Sequence, residues 1–589
     1  MNEDTSQNEL RWKRGRHIAG YFRQFSSTEK AIFGTLAIAA VVAAIIMAGN
    51  VNAYFMTEVP GYGGNLREGV IGLPHTINPV LAVTDVDHDL SALIYSGLMR
   101  YKDGSLVPDI ARSYDVSSDG LVYTFSLRND VRFQDGTALT ADDIAFTIQK
   151  IQDPALKSPR RADWANVIVK VASPVSIQFI LKQPYAPFLS NTTVGIIPKH
   201  IWGAVGDDQF IFSEYNIDPI GSGPYKTSSI SHNAGGIPTD YKISTWTDFY
   251  GMTPHVNSIT FSFFADEDKA LSALDSGAID SLSSISASDA VRLASDTAES
   301  YRILKAPLPR IFGSFMNQSQ APALADKSVR TALDMSVDRA TIIKMALDGY
   351  GLPLHGPLPF NADAIAPATP SSVSTSSMTG PDRSNIAGAQ ALLEKNGWKK
   401  NATGIYEKKG KTSTVTLSFD IYTADTPDLK ETAEIIKDAW TKLGADVSVK
   451  VFESSDLFQN IIRPRKYDVL LFGEFIGTDS DLYPFWHSSQ RNSPGLNVSM
   501  YANSKADKLL EDIRTTSDDA ARKAKLGQLG DMIEADVPAI FLYVPDFIYA
   551  VPKSLRGMDL GTITVPADRW DSIENWYLVT DNVWQIFKK

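Results

Sequence analysis

The chain has 589 residues, of which 43% are hydrophobic and 21% are charged, with a net charge of −12 and no cysteine. This length is too great for one hydrophobic core and predicts several domains. The acidic balance argues against nucleic-acid binding. The lack of cysteine excludes disulfides, thiolate metal sites, a cysteine nucleophile and a lipid-modified N-terminal cysteine.

The first predicted element is an uncharged apolar run at residues 31–48. As a helix it would be about 27 Å long, close to the hydrocarbon thickness of a bilayer. The preceding RWKRGRHIAGYFRQF is basic and aromatic, as expected of a cytoplasmic flank. A signal peptide cleaved at VNA, which ends at Ala53, is the alternative. We predict a cytoplasmic tail at 1–30, a transmembrane anchor at 31–49, a linker at 50–64 and an extracytoplasmic region at 54–589.

The next elements alternate between strand and helix patterns. LVYTFSLR, at 121–128, alternates apolar and polar side chains and predicts a half-buried strand. Thr140 and Asp143 have the spacing of a capping box, which predicts a helix start. The apolar stripe of that helix comprises Ile144, Ile148 and Ile151. VSIQFILK, at 175–182, predicts another strand.

The second half of the chain continues this mixture. The stretch after Asp428 predicts a helix that ends at Gly444, followed by an alternating strand at 447–451. Helix, short turn and strand in this order are typical of α/β proteins. Residues 361–385 are rich in Ser, Thr and Pro and predict a surface loop. The apolar helix stripe comprises Leu429, Ala433, Ile436, Trp440 and Leu443.

Catalytic signatures are weak throughout the sequence. The eight histidines are scattered, no HExxH motif occurs, and no nucleophile elbow stands in a strand–turn–helix setting. The glycine-rich GSGPY, at 221–225, lacks the second half of a phosphate loop. GEFIGTDSDLYPFW, at 473–486, holds three acids and four aromatic residues. Its acids are candidates for a catalytic pair, a metal site, a site for a cationic ligand group or a solvated loop, although elimination favours binding over catalysis.

Several motifs in a fixed order give the sequence a resemblance to a known family. The chain resembles the extracellular solute-binding proteins of family 5, the peptide- and nickel-binding receptors of ABC importers, from about residue 65 to 560. The motifs that carry this resemblance are PHTINPVLA, IYSGLMRYKDGSLVPDIARSYDVSSDGLVYTFSLRNDVRFQDGTALTADDIAFTIQKI, GSGPYK, ALSALDSGAID, KSVRTALDMSVDRATIIKMALDGYG, AQALLEKNGW and FWHSSQ.

The resemblance implies an α/β fold of the two-lobed periplasmic-binding-protein type, class C, preceded by one transmembrane helix. A ligand would lie between lobes that close by hinge motion. The implied segments are lobe one at 65–305 with an extra subdomain at 106–210, lobe two at 306–544 and a C-terminal segment at 545–589 that returns to lobe one.

The resemblance also implies ligand-contacting residues, and it implies no catalytic residue, metal ligand or cofactor. The implied contacts are Asp479, Glu474, Trp486, Tyr225 and Asn78. The chain departs from the pattern of dipeptide-binding members, because an ungapped alignment places Gly477 where they have an Asp for the ligand amine. Their Arg for the ligand carboxylate has no match in FDIYTADTP, at 419–427. Asp481 is expected to cap a turn.

These expectations describe a membrane-anchored receptor, monomeric, that captures oligopeptides and delivers them to an ABC permease with ATPase subunits. The membrane contact would be the anchor at 31–49, and nucleic acid is not an expected partner. Two alternatives stay open. One is a receptor for a metal or metallophore, and the other is a secreted hydrolase that uses the carboxylates at 474–481.

Overall fold

The computed structural model of the protein describes residues 25–102, 104–296, 300–359, 384–410, 413–477 and 481–587. The chain divides into two compact units. The first unit comprises Met1–Gly61 and Val579–Lys589, and the second comprises Tyr62–Leu578. Asp479 and nearly all of the loop predicted at 361–385 lie outside the described residues.

The first unit contains the apolar helix α1 (Ser27–Phe55). Its start is capped reciprocally, since Ser26 N–H donates to Glu29 Oε2 at 2.8 Å and Glu29 N–H donates to Ser26 Oγ at 3.3 Å. Its segment Ser27–Asn52 is long and apolar enough to cross a membrane. The helix continues into strand β1 (Met56–Gly61), which pairs antiparallel with Val579–Trp584. The stretch 50–64, predicted as a linker, is therefore helical to Phe55 and then extended.

The second unit begins with a mixed series of strands and helices. These are β2 (Asn65–Ile71), α2 (Asp85–Ile94), β3 (Met99–Lys102), β4 (Ser105–Pro108), β5 (Ala111–Val116), β6 (Val122–Leu127), α3 (Ala141–Gln152), β7 (Ile168–Ser173), β8 (Ser176–Ile180), α4 (Phe188–Asn191), α5 (Lys199–Trp202), α6 (Asp207–Phe210), β9 (Tyr225–His232), β10 (Pro238–Thr245), β11 (Ser258–Phe264), α7 (Glu267–Asp275), β12 (Ser281–Ser283), α8 (Ala287–Asp296) and β13 (Tyr301–Pro307).

A second series follows along the chain. It comprises β14 (Arg310–Met316), α9 (Lys327–Ser336), α10 (Arg339–Ala346), β15 (Gly351–Pro353), α11 (Ile386–Lys395), β16 (Lys399–Lys400), β17 (Tyr406–Lys409), β18 (Thr414–Thr416), β19 (Ser418–Ala424), α12 (Pro427–Leu443), β20 (Asp446–Phe452), α13 (Ser454–Asp456), β21 (Val469–Phe475), α14 (Tyr483–Trp486), α15 (Ser504–Thr515), α16 (Asp519–Asp536) and β22 (Ala539–Pro552). A π-helical turn at Leu457–Ile462 and a kinked 3₁₀ segment at Pro566–Asn575 complete the architecture.

Two main hydrophobic cores define two lobes. The core of the first lobe is built from residues 66–308 together with 547–576, whereas the core of the second lobe is built from residues 311–544. The main sheet has the order β9-β10-β11-β2-β12 in the first lobe and β20-β19-β21-β14 in the second. A separate antiparallel sheet, β5-β6-β8-β7, belongs to the first lobe. The fold is thus α/β and two-lobed.

Strand β22 connects the two lobes. Its first half, Ala539–Tyr543, pairs with β14 of the second lobe. Its second half, Asp546–Pro552, pairs with β13 of the first lobe. The chain also crosses between the lobes at 308–309, where β13 leads into β14. Two extended segments therefore join the lobes side by side.

The local predictions for this unit are confirmed where the structure describes them. Strand β6 buries Tyr123 and Phe125, and helix α3 starts after Thr140, whose N–H donates to Asp143 Oδ2 at 2.8 Å. The five apolar residues of the predicted stripe on α12 are all buried. That helix ends at Gly444, whose φ of 118° is left-handed and strained for a residue with a Cβ.

Candidate functional site

Strand direction locates a candidate cleft between the lobes. Strands β2, β11 and β12 are parallel, so their carboxyl ends meet at one edge of the first lobe. Strands β19, β20 and β21 are likewise parallel, and their carboxyl ends meet at one edge of the second lobe. The chain crosses at 308–309 directly between these edges, because β13 runs parallel to β12 and Arg310 is paired with Phe475. Ligands of α/β sheets bind at such strand ends.

Aromatic side chains line the strand ends of the second lobe. Phe312 stacks on Tyr543 with ring centroids 5.0 Å apart, next to the crossover. Tyr422 stacks on Phe452 at 5.9 Å, at the carboxyl ends of β19 and β20. The side chain of Phe475, at the end of β21, is 45% exposed. Tyr543 is buried, whereas the partly exposed rings of Phe312, Tyr422, Phe452 and Phe475 give the second wall an apolar surface that suits varied ligand side chains.

Glu474 lies beneath this wall. It is 6% exposed on β21, and its Oε2 finds no hydrogen-bond partner among the described residues. Burial raises the pKa of Glu474 well above its ordinary value, although the charge of Arg465 acts against the shift. The Arg465 guanidinium donates its hydrogen bonds to backbone carbonyls, including Gly495 O at 2.6 Å, rather than to Glu474. The structure thus makes Glu474 a buried acid that favours its neutral form, and its role as a ligand contact stays a prediction.

Asp481 is held by Arg514. Arg514 Nη2 donates to Asp481 Oδ2 at 2.7 Å, and the guanidinium lies 4.1 Å from the ring centroid of Tyr483. Tyr483 N–H also donates to Asp481 Oδ1 at 3.2 Å, which confirms the predicted turn cap. An ion-paired Asp481 and a buried Glu474 do not form an acid pair, and Asp479, the other acid of the hydrolase alternative, lies outside the described residues.

The same arginine lies where the lobes touch. Arg514 O accepts a hydrogen bond from Ala186 N–H of the first lobe at 2.9 Å. The ring of Tyr185 lies 5.8 Å from the Arg514 guanidinium, and its hydroxyl lies 3.5 Å from Asp481 Oδ2. We call Tyr185, Ala186, Asp481 and Arg514 the lobe contact. It is far in sequence from both crossovers, so it bridges the two lobes independently of them.

Trp486 is buried in the core of the second lobe. It is 1% exposed, and its ring lies 5.7 Å from that of Phe541 and 6.1 Å from that of Tyr501. These contacts fix helix α14, which follows the segment 473–482. The direct ligand contact predicted for Trp486 stays a prediction, whereas its packing below the wall is described by the structure.

Asn78 and Tyr225 are buried in the first lobe. Asn78 Nδ2 donates to Asn216 Oδ1 at 3.1 Å, and its Oδ1 accepts from Val80 N–H at 3.0 Å. Tyr225 is 0% exposed, and its hydroxyl donates to Val256 O at 2.7 Å. These bonds hold the loop after β2 and the start of β9. The predicted ligand contacts of both residues stay predictions.

Arg160 and His88 lie near the loop after β2, and no sequence motif marks either residue. Ser158 Oγ donates to Val80 O at 2.6 Å, which brings Arg160 to this loop. Within the described residues, Arg160 has no ion-pair partner, and burial lowers its pKa despite the charge of Asp163. Burial and the charge of Arg160 together lower the pKa of His88. The signal in the sequence was only the dipeptide Arg160–Arg161, which is ordinary for a solvated loop.

A cavity of about 540 Å³ lies at the edge of the crossovers, away from these walls. It is bounded by α8 and β13 of the first lobe and by the turn at 348–350 of the second. Lys305 borders it and is ion-paired with Asp546 at 2.9 Å. None of the predicted ligand contacts that the structure describes lines this cavity. No group of three or more His, Cys, Asp or Glu side chains that could hold a metal occurs in the part of the chain that the structure describes.

Comparison with known proteins supplies an independent line of evidence. The family described as bacterial extracellular solute-binding proteins, family 5 Middle, matches residues 105–493. The oligopeptide-binding protein AppA of Bacillus subtilis is 28% identical over 533 residues, which cover 88% of this chain and 92% of that protein.

Solved structures of similar proteins have the same fold. AppA from Bacillus subtilis, in complex with a nonapeptide, matches with a TM-score of 0.65 and 27% identity, over 88% of this chain and 100% of that one. NikZ from Campylobacter jejuni, in complex with Ni(L-His), matches with a TM-score of 0.66 and 27% identity, over 87% of this chain and 99% of that one. These similar folds therefore accommodate a peptide and a metal chelate.

Proposed function

The chain belongs to the bacterial extracellular solute-binding proteins of family 5, and from this premise we propose that it is a membrane-anchored receptor that captures oligopeptides between its two lobes. Receptors of this family bind solutes for ABC importers and work with permease and ATPase subunits. Membership in the family implies a binding role rather than catalysis. The finer assignment, an oligopeptide ligand, is carried by the opposed strand ends of the two lobes.

Opposed strand ends suit an extended peptide because each lobe offers backbone at its edge. The stacked rings on the second wall supply apolar surface for varied side chains. The two walls would be supported from below by buried residues, namely Glu474 and Trp486 in the second lobe and Tyr225 and Asn78 in the first. Asp479 is proposed to face the ligand amine, since it follows the end of β21 and the other two acids of its segment are buried or ion-paired.

Arg160 is proposed to receive the ligand carboxylate. Its guanidinium makes no ion pair among the described residues, although the charge of Asp163 acts on it, and it is next to the loop after β2. An anionic ligand group would compensate this charge with charge-assisted hydrogen bonds. Arg160 would then supply the cation that the strand before α12 lacks.

The test compares peptides that end in a free carboxylate with the same peptides ending in an amide. The full-length protein, in lipid nanodiscs, is expected to bind the carboxylate form at least about tenfold more tightly than the amide form. This is the difference expected from one hydrogen bond to a charged group. Arg160→Gln should remove this preference, whereas the adjacent Arg161→Gln should retain it. Calorimetric titration with peptides of graded length gives the affinities.

Three outcomes would overturn parts of this proposal. The oligopeptide assignment would be overturned if native mass spectrometry finds no bound peptide and no peptide raises the unfolding temperature. Tight binding of Ni(II)–L-histidine with no response to peptides would favour the metallophore alternative. A carboxylate preference that survives Arg160→Gln would remove Arg160 from the site while leaving the peptide assignment in place.

Membrane anchoring is proposed from helix α1 and the basic segment that precedes it. The apolar run is as long as a bilayer core is thick, and lysine and arginine favour the cytoplasmic side. The uncleaved chain would keep its full mass of 64.4 kDa. Intact-mass measurement on protein from membranes tests this, because cleavage after Ala53 would leave a shorter chain without the anchor.

A further inference from the structure

The C-terminal strand is bound to the end of the anchor helix. In the first unit, β1 pairs with Val579–Trp584, so that Met56 lies opposite Trp584. Trp584 Nε1 donates to Asn52 Oδ1 at 2.8 Å. The Trp584 ring also stacks on Phe55, with centroids 6.1 Å apart and an interplanar angle of 24°. The last strand therefore returns to the point at which α1 ends.

Large apolar side chains are exposed around this point. Tyr54 is 79% exposed, Phe55 is 45% exposed, Trp584 is 41% exposed and Ile586 is 78% exposed. Four such side chains within one small unit are unfavourable in water and indicate a partner surface. We call these four residues the collar.

The position of the collar along α1 identifies that surface. If residues 31–48 fill the hydrocarbon core, then Tyr54 and Phe55 lie about 10 Å beyond it at 1.5 Å per residue. This distance is within the headgroup layer, where Trp and Tyr are enriched because one part of each ring is apolar and another is polar. The neighbouring strands carry the exposed acids Glu58 and Asp581, which offset the charges of Lys588 and Lys589 that follow Ile586 in the sequence, so apolar burial rather than attraction to anionic lipids is proposed as the driving force.

We propose that the collar lies in the lipid headgroup layer and binds the C-terminal segment to the membrane surface beside the anchor. This inference rests on the proposed anchoring by α1. It assigns the C-terminal strand a second role as a membrane-contacting element, with the bilayer interface as its partner. Phosphatidylcholine is sufficient for this contact, because burial of the aromatic rings and Ile586 drives it.

The absence of cysteine from the chain allows a direct test. The full-length variant Ile586→Cys, labelled with an environment-sensitive fluorophore, is reconstituted into phosphatidylcholine vesicles that carry nitroxide at the headgroup. The matched control is Asp581→Cys, which lies opposite Val59 and about 10 Å along the strand from Trp584. The headgroup nitroxide is expected to quench the probe at 586 about twofold or more strongly than the probe at 581.

Two further measurements separate the possible failures. Thr57 and Val583 are directly opposite, so the pair Thr57→Cys and Val583→Cys should form a disulfide if the strands pair in the vesicles. Trp584→Ala in the Ile586→Cys background should reduce quenching to the level at 581. Added phosphatidylglycerol should leave the quenching unchanged.

The outcomes are distinguishable by flotation of the vesicles. Protein that fails to float with them contradicts the anchoring and the collar together. Protein that floats with equal quenching at 586 and 581 overturns the collar alone. Quenching that depends on phosphatidylglycerol, or that persists in Trp584→Ala, also overturns the proposed contact. Cross-linking of 586 between two copies would instead assign the collar to self-association.

Discussion

Both lobes bury acidic side chains, but the two lobes differ in the hydrogen-bond partners that these carboxylates have. In the first lobe, Arg569 Nη1 and Nη2 each donate to a carboxylate oxygen of Asp89 at 2.7 Å, and Nη2 donates to Glu68 Oε1 at 3.2 Å. The guanidinium also lies 4.4 Å from a ring centroid of Trp570. In the second lobe, Glu474 is buried with no hydrogen-bond partner for its Oε2 among the described residues.

This difference has consequences for stability. Arg569 tethers the C-terminal segment to β2 and α2, so its ion pairs help to hold the discontinuous first lobe together. Glu474 has no such partner, and its raised pKa means that the folded state retains a proton that the unfolded chain releases. Its stabilising effect is complete below the unfolded pKa of about 4.3 and is lost as pH rises through the raised folded pKa. Burial raises the pKa of Glu68 and Asp89 as well as that of Glu474, so the lobes differ in the arginine hydrogen bonds that the first two acids accept rather than in the direction of the pKa shift.

The largest expected effect comes from breaking the compensated cluster. Arg569→Met leaves Glu68 and Asp89 buried without their cation and is expected to lower the free energy of unfolding by about 3–5 kcal/mol. Urea unfolding monitored by circular dichroism measures the change. The control Arg292→Met removes a surface pair with Asp275 and should cost about 1 kcal/mol or less. Equal losses in both variants would contradict the special role of Arg569.

Removing the charge of Glu474, the buried acid without an arginine hydrogen bond, should stabilise the protein, whereas Arg569→Met should destabilise it. Glu474→Gln removes the charge that must be neutralised on folding. Relative to that of the unchanged protein, the free energy of unfolding of the variant should therefore be higher at pH 8 than at pH 5, by about 1–3 kcal/mol. Thermal unfolding of both proteins across this pH range gives the difference. The surface variant Glu434→Gln is the control, and its effect should be the same at both pH values. A pH-independent effect of Glu474→Gln would mean that Glu474 does not titrate differently on folding.

The lobe contact should produce a smaller effect on the equilibrium between open and closed forms. Arg514→Met removes the cation that faces the Tyr185 ring of the first lobe, which is worth about 1 kcal/mol or less for partly exposed groups, whereas its ion pair with Asp481 lies within the second lobe. The closed fraction should decrease a few-fold, as measured by energy transfer between two labelled cysteines, one in each lobe. Arg491→Met, an exposed variant of the same lobe, should leave this fraction unchanged. No change in Arg514→Met would show that the contact does not stabilise closure.

The smallest effect is expected for the second acid of the compensated cluster. Glu68→Gln removes one of two negative charges but keeps an acceptor for Tyr549, whose hydroxyl donates to Glu68 Oε2 at 2.7 Å. Because Arg569 remains paired with Asp89, the loss should be about 1 kcal/mol or less, well below that of Arg569→Met. Urea unfolding compares the two variants side by side. A loss as large as that of Arg569→Met would show that the arginine needs both acids.

The local structure of this protein could be predicted from the sequence, since the interactions that set it are close along the chain. Thr140 and Asp143 are three residues apart, and they cap α3 as their spacing predicts. The stripe on α12 and its end at Gly444 follow from helical periodicity and from the freedom of glycine at positive φ. The family motifs likewise depend on residues in a fixed order, and they led to the two-lobed fold.

The candidate site was less predictable, because its chemistry depends on long-range contacts. The three acids of the segment 473–486 look equivalent in sequence. In the structure, Glu474 is buried under the wall and Asp481 is paired with Arg514, 33 residues away. Arg160 gains significance only because Ser158 binds the loop after β2, 78 residues earlier. No local pattern encodes these partners.

The sequence by itself determined the periodic elements, the apolar helix near the N-terminus, the family resemblance and the absence of cysteine chemistry. The tertiary structure decided which acids are compensated, where the lobes touch and how the C-terminal strand returns to the end of helix α1. The physical reason is that periodicity and capping act over a few residues. Charge compensation and strand pairing join residues such as Glu68 and Arg569, which are 501 positions apart and meet only after folding.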